Sequence, residues 1–149
     1  MITKVLFKEI RHDKRPLERA HETDARYDVR ANNSGIIPPG KTQLVKTGIY
    51  MSIPQGYWLA ILPRSGNAIK SSIIVPNSPG CVDSGFLNEI GVVIHNLGDK
   101  DFSYVEGDRT AQATFVKIPE MNLEYISEDE FSKIETERGT NGFGSTGVK

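Results

Sequence analysis

Turn signals recur so often along this chain that they limit which folds it can adopt. Gly, Pro, Asn and Asp cluster between apolar runs at residues 38–40, 54–56, 77–80, 98–99 and 107–108. Such clusters favour turns, because Gly permits positive φ and Pro removes a backbone donor. Short strands with turns at this frequency predict an all-β sandwich, barrel or jelly roll.

The apolar runs between the turns have the patterns of strands. One alternating segment carries four apolar residues on the same face: Val45, Ile49, Met51 and Ile53. Residues 58–62 form a continuous apolar run, which suits a strand buried on both sides, and Trp58 is expected in the core. Further strands are predicted over residues 90–95 and 111–118.

One short helix and two segments outside the core complete the local prediction. Ser127 can cap a helix of one or two turns through Ile134, with Glu130 reaching back to the cap. Residues 12–24 mix charges of both signs and are expected to form a solvated loop. Residues 136–149 are rich in glycine, which predicts a mobile tail.

Composition argues against several classes of function. The 149 residues fit one compact domain, and a net charge of −1 gives no general attraction to nucleic acid or to an anionic membrane. The apolar runs are too short to span a bilayer, and no signal peptide is expected. Cys81 is the single cysteine, which excludes an intrachain disulfide and favours a cytoplasmic location, or the host-cell cytoplasm if the protein is viral. We expect Cys81 to be a small buried side chain rather than a nucleophile, and the three histidines show no zinc spacing.

Two segments carry polar residues suited to phosphate chemistry. Arg64, Ser65 and Gly66 follow a predicted buried strand, where a guanidinium can grip phosphate oxygens and backbone N–H groups can approach an anion. Asp83 lies three residues before Phe86, so it can act as a general base above an aromatic platform. An ordinary turn explains the first segment equally well. A turn-initiating aspartate beside a core ring is the commoner explanation of the second.

The glycine-rich tail offers a third group of polar residues. Arg138, Phe143 and Ser145 can close over a nucleotide, with the ring on a base and the other groups on phosphate. Glycines such as Gly144 let the segment order only when a ligand binds. A terminal segment of this composition is more often simply disordered.

Five ordered motifs, which together span nearly the whole chain, carry a family resemblance. They are Ala25-Arg26-Tyr27-Asp28-Val29-Arg30-Ala31, Pro63-Arg64-Ser65-Gly66-Asn67-Ala68, Gly80-Cys81-Val82-Asp83-Ser84-Gly85-Phe86, Gly107-Asp108-Arg109-Thr110-Ala111-Gln112, and the segment 138–147. In their order and separations these motifs resemble the trimeric dUTPases. A single motif can arise by chance, whereas five in this order make the resemblance specific.

The resemblance implies a homotrimer of jelly-roll-like β barrels of the β-clip type. The barrel domain would cover residues 1–135, and residues 136–149 would form an arm that closes over a neighbouring active site. Motifs one, two and four would come from one subunit, the third from a second, and the arm from the third. The implied activity is hydrolysis of the small-molecule substrate dUTP to dUMP and pyrophosphate. This activity limits uracil incorporation into DNA and supplies dUMP for thymidylate synthesis.

The resemblance also implies roles for residues on the phosphate side of the substrate. Asp83 matches the catalytic carboxylate that activates a water for in-line attack on the α-phosphorus. Asp28 matches the residue that contacts hydrated Mg²⁺ through water, while the substrate phosphates hold the ion itself. Four residues match phosphate-binding or water-ordering positions: Arg64, Ser65, Gly66 and Gln112. Asp108 and Arg109 are implied to hold the subunit interface.

On the nucleoside side, the resemblance implies a hairpin that reads uracil through backbone groups. The implied contacts are Asn77, Gly80, Cys81, Val82, Phe86 and Gly91, with Arg138, Phe143, Gly144 and Ser145 from the arm. Cytosine would leave buried backbone groups unpaired in such a hairpin. Phe86 would pack under the deoxyribose and leave no room for a ribose 2′-hydroxyl. Phe143 would stack on uracil, and Arg138 and Ser145 would contact the γ-phosphate side.

Three departures from the usual motifs bear on these roles. Arg26 replaces a glycine, which leaves the local backbone in question. Phe86 stands where tyrosine is common and keeps the ring, so sugar discrimination is expected to survive. Asn141 replaces a glycine of the arm and tolerates left-handed φ better than most residues.

Two other functions stay open at this stage. A dCTP deaminase shares the family's fold, but the complete arm and the Asp83 motif favour the hydrolase. A nucleotide-sensing regulator that binds a secondary protein partner is the other alternative, with residues 12–24 as the candidate surface.

Overall fold

The computed structural model describes residues 4–9 and 17–142, which are mostly strand. The strands are β1 Leu6–Glu9, β2 Tyr27–Arg30, β3 Gly35–Ile37, β4 Thr42–Lys46, β5 Ile49–Ser52, β6 Tyr57–Leu62, β7 Ile73–Ile74, β8 Gly80–Val82, β9 Gly91–Asn96, β10 Phe102–Tyr104 and β11 Arg109–Lys117, and the helices are α1 Ser65–Ser71 and α2 Glu128–Phe131. The predicted all-β class is confirmed. The predicted strands over residues 58–62, 90–95 and 111–118 correspond to β6, β9 and β11.

The strands form four sheets, in which every ladder among the described residues is antiparallel. The largest sheet has the order β2-β11-β6-β8, and the next has the order β4-β9-β7. Two smaller sheets pair β1 with β5 and β10 with β3. Because β2 and β11 are far apart in the sequence, the largest sheet brings the first and fourth motifs side by side.

One apolar core draws side chains from all four sheets. Side chains that are at most 1% exposed include Val29, Ile37, Val45, Ile49, Leu59 and Ile94. Burying each large aliphatic side chain contributes roughly 1.5–3 kcal/mol. No helix in the described part of the chain has the length and apolarity needed to cross a membrane.

The alternating segment predicted from Val45 to Ile53 is two strands rather than one. A turn at Thr47 and Gly48 separates β4 from β5, and Gly48 has a left-handed φ of 71°. Glycine is favoured there because it has no Cβ to clash. The four apolar residues are all buried as expected, but Val45 lies in β4, whereas Ile49 and Met51 lie in β5 of another sheet and Ile53 follows β5.

The burial predicted for Trp58 and Cys81 is wrong in the single chain. Trp58 is half-buried and Cys81 is exposed. Successive side chains on a strand point to opposite faces. In β6, Leu59 and Ile61 face the core, so Trp58 faces outward. Cys81 likewise alternates with buried neighbours in β8.

The capping box predicted at Ser127 is confirmed. Ser127 Oγ accepts from the Glu130 backbone N–H at 3.2 Å, and a Glu130 carboxylate oxygen accepts from the Ser127 N–H at 2.8 Å. The bonds that the Glu130 carboxylate accepts from the Ser127 N–H and, at 2.7 Å, from the Ser127 hydroxyl lower the pKa of Glu130 below its ordinary value. The helix ends at Phe131, earlier than the predicted Ile134. It belongs to a compact unit covering Glu120–Lys149, separate from the unit Met1–Pro119 that contains all eleven strands.

An Asn96→Ala variant is expected to unfold at a clearly lower urea concentration than the wild type. The Asn96 side chain is fully buried and bonds three backbone groups, the carbonyls of Ile37 and Lys100 at 2.8 Å and the N–H of Gly98 at 2.9 Å. Leaving such groups unpaired should cost about 3 kcal/mol. Urea titration at one protein concentration measures this, with Asn122→Ala, at an exposed position, as the control. Equal midpoints for the two variants would contradict the expectation.

Candidate active site

Asp28 is the centre of a charged cluster on the largest sheet. Its carboxylate is 9% exposed, with Arg64 Nε at 3.4 Å from Oδ1 and Arg109 Nη1 at 3.3 Å from Oδ2. Arg64 also donates from Nη1 to the backbone oxygen of Arg109 at 3.2 Å. A buried carboxylate needs such cations to remain ionised without a large desolvation cost. The arrangement therefore holds both guanidinium groups against the same carboxylate.

The register of the sheet explains why these side chains meet. Asp28 in β2 lies opposite Gln112 in β11, and Gln112 lies opposite Leu62 at the end of β6. Residues directly opposite one another project from the same face of a sheet. Arg64 follows Leu62 by two residues, and its own backbone is still extended, with φ −91° and ψ 126°. The fold of one chain thus brings together residues of motifs one, two and four.

Ser65 and Gly66 begin a helix that the sequence did not predict. Helix α1 buries none of its residues, and Arg64 at its N-cap makes no side-chain capping bond. Neither apolar periodicity nor a capping signal was therefore present to reveal it. The helix ends at Ser72 in a left-handed conformation with φ 53°. Ser65 and Gly66 are exposed, so the hydroxyl and the backbone N–H groups are accessible to an anion.

The charges of this cluster suit an anionic ligand. Two guanidinium groups face one carboxylate, which leaves an excess of positive charge. Asp28 Oδ1 and Arg64 Nε are both buried without a hydrogen-bond partner, although 3.4 Å separates them. Buried polar atoms are rarely left unpaired, and those that are often mark a place for a ligand, a water or an ion.

Asn67 has a structural role that the sequence did not show, and Asp108 has one besides the interface role that the resemblance implies. Asn67 Nδ2 lies 3.5 Å from the backbone oxygens of both Arg109 and Thr110, which links α1 to the start of β11. Asp108 accepts from the Val105 N–H at 2.9 Å and closes the turn before β11. Both side chains help to place Arg109, one of the two arginines that contact Asp28. The subunit-interface role of Asp108 and Arg109 stays a prediction.

Asp83, the candidate catalytic carboxylate, follows β8 at an exposed position. Cys81 Sγ lies 3.5 Å from Asp83 Oδ1, within the range of a thiol donor. Local desolvation, together with this hydrogen bond and the Asp83 charge, raises the pKa of the Cys81 thiol above its ordinary value. The thiol is therefore protonated at neutral pH, which makes it a donor to Asp83 and a poor nucleophile.

The hairpin predicted between Gly80 and Gly91 is a loop in this structure. Strand β8 pairs with β6, whereas β9 pairs with β4 and β7, and no ladder in the described residues joins β8 to β9. The two strands belong to different sheets, so the connection between them has no ladder of its own. Within this loop Phe86 is 43% exposed, and its N–H donates to the Asp83 oxygen at 3.1 Å.

The predicted uracil-side residues lie at the two ends of this loop. Gly80 and Val82 are buried, and a Cβ added at Gly80 would lie 3.2 Å from Asn77 Nδ2. The absence of a side chain at Gly80 therefore lets Asn77 approach the start of β8. A Cβ added at Gly91 would lie 2.6 Å from the Leu44 side chain, so glycine also permits close packing at the start of β9.

Arg26 and Asn141, which replace glycines of the usual motifs, do not require a positive backbone φ. Ser72 is the one non-glycine residue with positive φ in the described ranges, so neither Arg26 nor Asn141 needs the freedom of glycine. Arg26 is exposed. In the arm, Arg138 donates from Nε to the Asn141 oxygen at 2.8 Å. The arm residues Phe143, Gly144 and Ser145 lie outside the described residues.

Asp83, which follows β8, and Arg64, which follows β6, lie toward opposite ends of β6. Val82 lies opposite Leu59 in the antiparallel β6–β8 ladder. The chain after Val82 therefore runs toward the N-terminal end of β6, and Asp83 is the next residue in that direction. Arg64 lies five residues beyond Leu59 in extended chain, which corresponds to about 17 Å. Within one chain, the cluster of Asp28, Arg64 and Arg109 therefore lies far from the exposed carboxylate of Asp83.

Comparison with known proteins decides the family. The profile of the dUTPase family matches residues 13–147. The chain belongs to the dUTPase family. Deoxyuridine 5′-triphosphate nucleotidohydrolase of Picosynechococcus is 46% identical over 128 residues, which cover 86% of this chain and 87% of that protein. The enzyme of the same name from Clostridium tetani is 37% identical and covers 93% of this chain and 92% of its own length.

Solved structures confirm the jelly-roll-like dUTPase fold. A mutant dUTPase of Staphylococcus bacteriophage 80alpha, determined with dUpNHpp, is 26% identical with a TM-score of 0.86, and the match covers 99% of this chain and all of that one. A dUTPase mutant from phage phi11 of S. aureus is 24% identical with a TM-score of 0.77, and covers 87% of this chain and all of its own. The latter structure describes the coordination of a structural Mg(II) ion in the phi11 protein.

Proposed function

We propose that this member of the dUTPase family hydrolyses dUTP to dUMP and pyrophosphate in active sites built by three copies of the chain. The observation that carries the proposal is the β6–β8 register, which places Asp83 and the Arg64 cluster toward opposite ends of β6. A base must come within hydrogen-bond reach of the water that it activates, about 3 Å. A carboxylate at the opposite end of β6 from its own cluster is better placed to serve the cluster of a neighbouring copy.

The cluster of motifs one, two and four binds the triphosphate. Arg64 presents a guanidinium to phosphate oxygens, and the exposed Ser65 and Gly66 add a hydroxyl and backbone N–H groups. Gln112 lies on the same face and orders the attacking water. Fixed positive charge at this position stabilises the charge that develops on the phosphates, which accounts for much of the rate in phosphoryl transfer.

Asp83 of a second subunit activates the water for in-line attack on the α-phosphorus. The water loses a proton to the carboxylate, its oxygen bonds to the α-phosphorus, and the bond from that phosphorus to the β-phosphate oxygen breaks. Pyrophosphate leaves and dUMP remains. The thiol of Cys81 donates to Asp83 and restrains the orientation of the carboxylate.

The residues of the cluster fit a water-mediated contact with Mg²⁺. Asp28 Oδ1, which is paired with Arg64 but accepts no hydrogen bond, is an acceptor suited to a water of a hydrated ion. No group of three or more acidic, histidine or cysteine residues in the described ranges could form a protein cage for a metal. When bound with the triphosphate, Mg²⁺ would neutralise phosphate charge and keep several of its own waters.

The remaining contacts belong to the nucleoside and to the arm. Phe86 packs under the deoxyribose, and backbone groups around Gly80 read uracil. The arm, residues 136–149, comes from the third subunit, where Phe143 stacks on uracil and Arg138 contacts the γ-phosphate side. We place the reaction in the cytoplasm, in line with a chain that has one cysteine.

The purified protein with Mg²⁺ is expected to convert dUTP to dUMP and pyrophosphate and to leave dCTP and UTP largely unreacted. Cytosine has the wrong pattern of donors and acceptors, and the 2′-hydroxyl of UTP meets Phe86. Chromatographic separation of products after incubation with each nucleotide, with and without a chelator, measures this selectivity. Native mass spectrometry supplies the oligomeric state. Deamination of dCTP without comparable dUTP hydrolysis, or full activity in a monomer, would reject the proposal.

A further inference from the structure

We propose that Glu89 and Thr47 form a latch that positions the loop carrying Phe86 and so sets the discrimination between dUTP and UTP. The inference rests on the proposed function, in which the Phe86 ring packs under the deoxyribose. Neither Glu89 nor Thr47 belongs to the residues assigned above to substrate or to water. Both are positioning residues that act through the backbone of the loop.

Thr47 holds the C-terminal end of this loop from the turn between β4 and β5. Its side chain is fully buried, and Oγ1 donates to the Ile90 carbonyl at 2.6 Å while accepting from the Ile49 N–H at 3.2 Å. The Ile90 N–H donates in turn to the Ile49 carbonyl at 2.8 Å. Both backbone groups of Ile90 are therefore bonded to this turn and to β5.

Glu89 adds a restraint one residue closer to Phe86. Its carboxylate accepts from the Gly48 N–H at 2.9 Å, and an ionised acceptor makes such a bond shorter and stronger than a neutral one. Gly48 offers this N–H from the left-handed conformation described above. Glu89 is only partly exposed, so the bond is less screened by water than one on an open surface.

Between Asp83 and Glu89, the hydrogen bonds of the described loop residues stay within the loop. Among the described residues, the bond that Phe86 makes to Asp83 stays inside the loop, as does the Glu89 N–H bond to Asn88 Oδ1 at 2.7 Å. The position of the Phe86 ring therefore depends on the fixed ends of the loop. A shift of the ring by a fraction of its thickness would open space for a 2′-hydroxyl.

The test is the ratio of kcat/KM for dUTP to that for UTP in folded trimeric variants. Glu89→Ala is expected to lower this ratio by about ten- to hundred-fold, mainly through a higher KM for dUTP and faster turnover of UTP. Glu89→Gln retains a side-chain oxygen that can accept from Gly48 and should restore most of the ratio. Glu106→Ala, which removes an exposed carboxylate elsewhere in the barrel, is the matched control and should leave the ratio unchanged.

A second readout does not depend on catalysis. Amide hydrogen exchange at residues 84–88 should accelerate in Glu89→Ala and not in the control. If Glu89→Ala fails to fold, Thr47→Val replaces it, because valine matches the shape of threonine and lacks the donor, with Thr47→Ser as the rescue variant.

The outcomes separate the latch from the proposed function. A wild-type protein that does not hydrolyse dUTP rejects the proposed function, and the exchange experiment then still decides the latch. An unchanged nucleotide ratio and unchanged exchange in folded Glu89→Ala would overturn the latch alone. An equal loss of kcat for both nucleotides, without rescue by Glu89→Gln, would also overturn it, since that pattern indicates general destabilisation.

Discussion

An Asp83→Asn variant is expected to assemble and bind dUTP normally, and to lose about a hundred- to ten-thousand-fold in kcat. Asparagine has nearly the shape of aspartate, and Asp83 is exposed, so the fold has little reason to change. The amide cannot take a proton from water, so the variant would lack the proposed general base and keep the proposed charge stabilisation at the Arg64 cluster. The substitution should therefore lower kcat and leave KM nearly unchanged.

Steady-state hydrolysis of dUTP and binding of dUpNHpp, the ligand of the phage 80alpha structure, together measure this result. Asp99→Asn is the matched control, because Asp99 is also an exposed aspartate and lies outside the motifs. It should retain wild-type kcat. Turnover of Asp83→Asn within a few-fold of wild type would remove Asp83 from its catalytic role, whereas loss of binding would point to a wider disturbance of the loop.

Two inactive variants should restore activity when they assemble together. In a mixed trimer of Asp83→Asn and Arg64→Ala chains, some sites combine an intact Arg64 cluster from one variant with an intact Asp83 from the other. Random assortment of equal amounts makes about a quarter of the sites intact, since each of two positions must be filled by the right chain. Activity should rise from near zero to about that fraction of wild type.

The control for this experiment pairs two variants of the same cluster. Arg64 and Gln112 lie on one face of the same sheet in one chain, so Arg64→Ala and Gln112→Ala chains should not complement each other. Co-refolding and an assay per site measure both mixtures. Inactivity of the Asp83→Asn and Arg64→Ala mixture, with mixed trimers confirmed by native mass, would show that the two residues do not meet between subunits.

Local sequence patterns predicted the elements that depend on neighbouring residues alone. The alternation in β9 and the apolar run of β6 mark strands because side-chain direction repeats every two residues. The capping box at Ser127 needs only residues three apart, and it is present as predicted. Helix α1 was not predicted, because it buries no residue and has no side-chain cap.

The sequence by itself determined the chemistry available to the protein: its strands, its polar motifs and its dUTPase family. The tertiary structure alone decided which of those residues meet. Pairing between β2 and β11 places Asp28 beside Gln112, whereas the β6–β8 register separates Asp83 from Arg64. The tertiary structure also decided that Trp58 and Cys81 face outward, and that the Glu89 carboxylate accepts a hydrogen bond from the Gly48 N–H. The physical reason is that ladder register and loop anchoring join residues distant in sequence, and no local periodicity records such contacts.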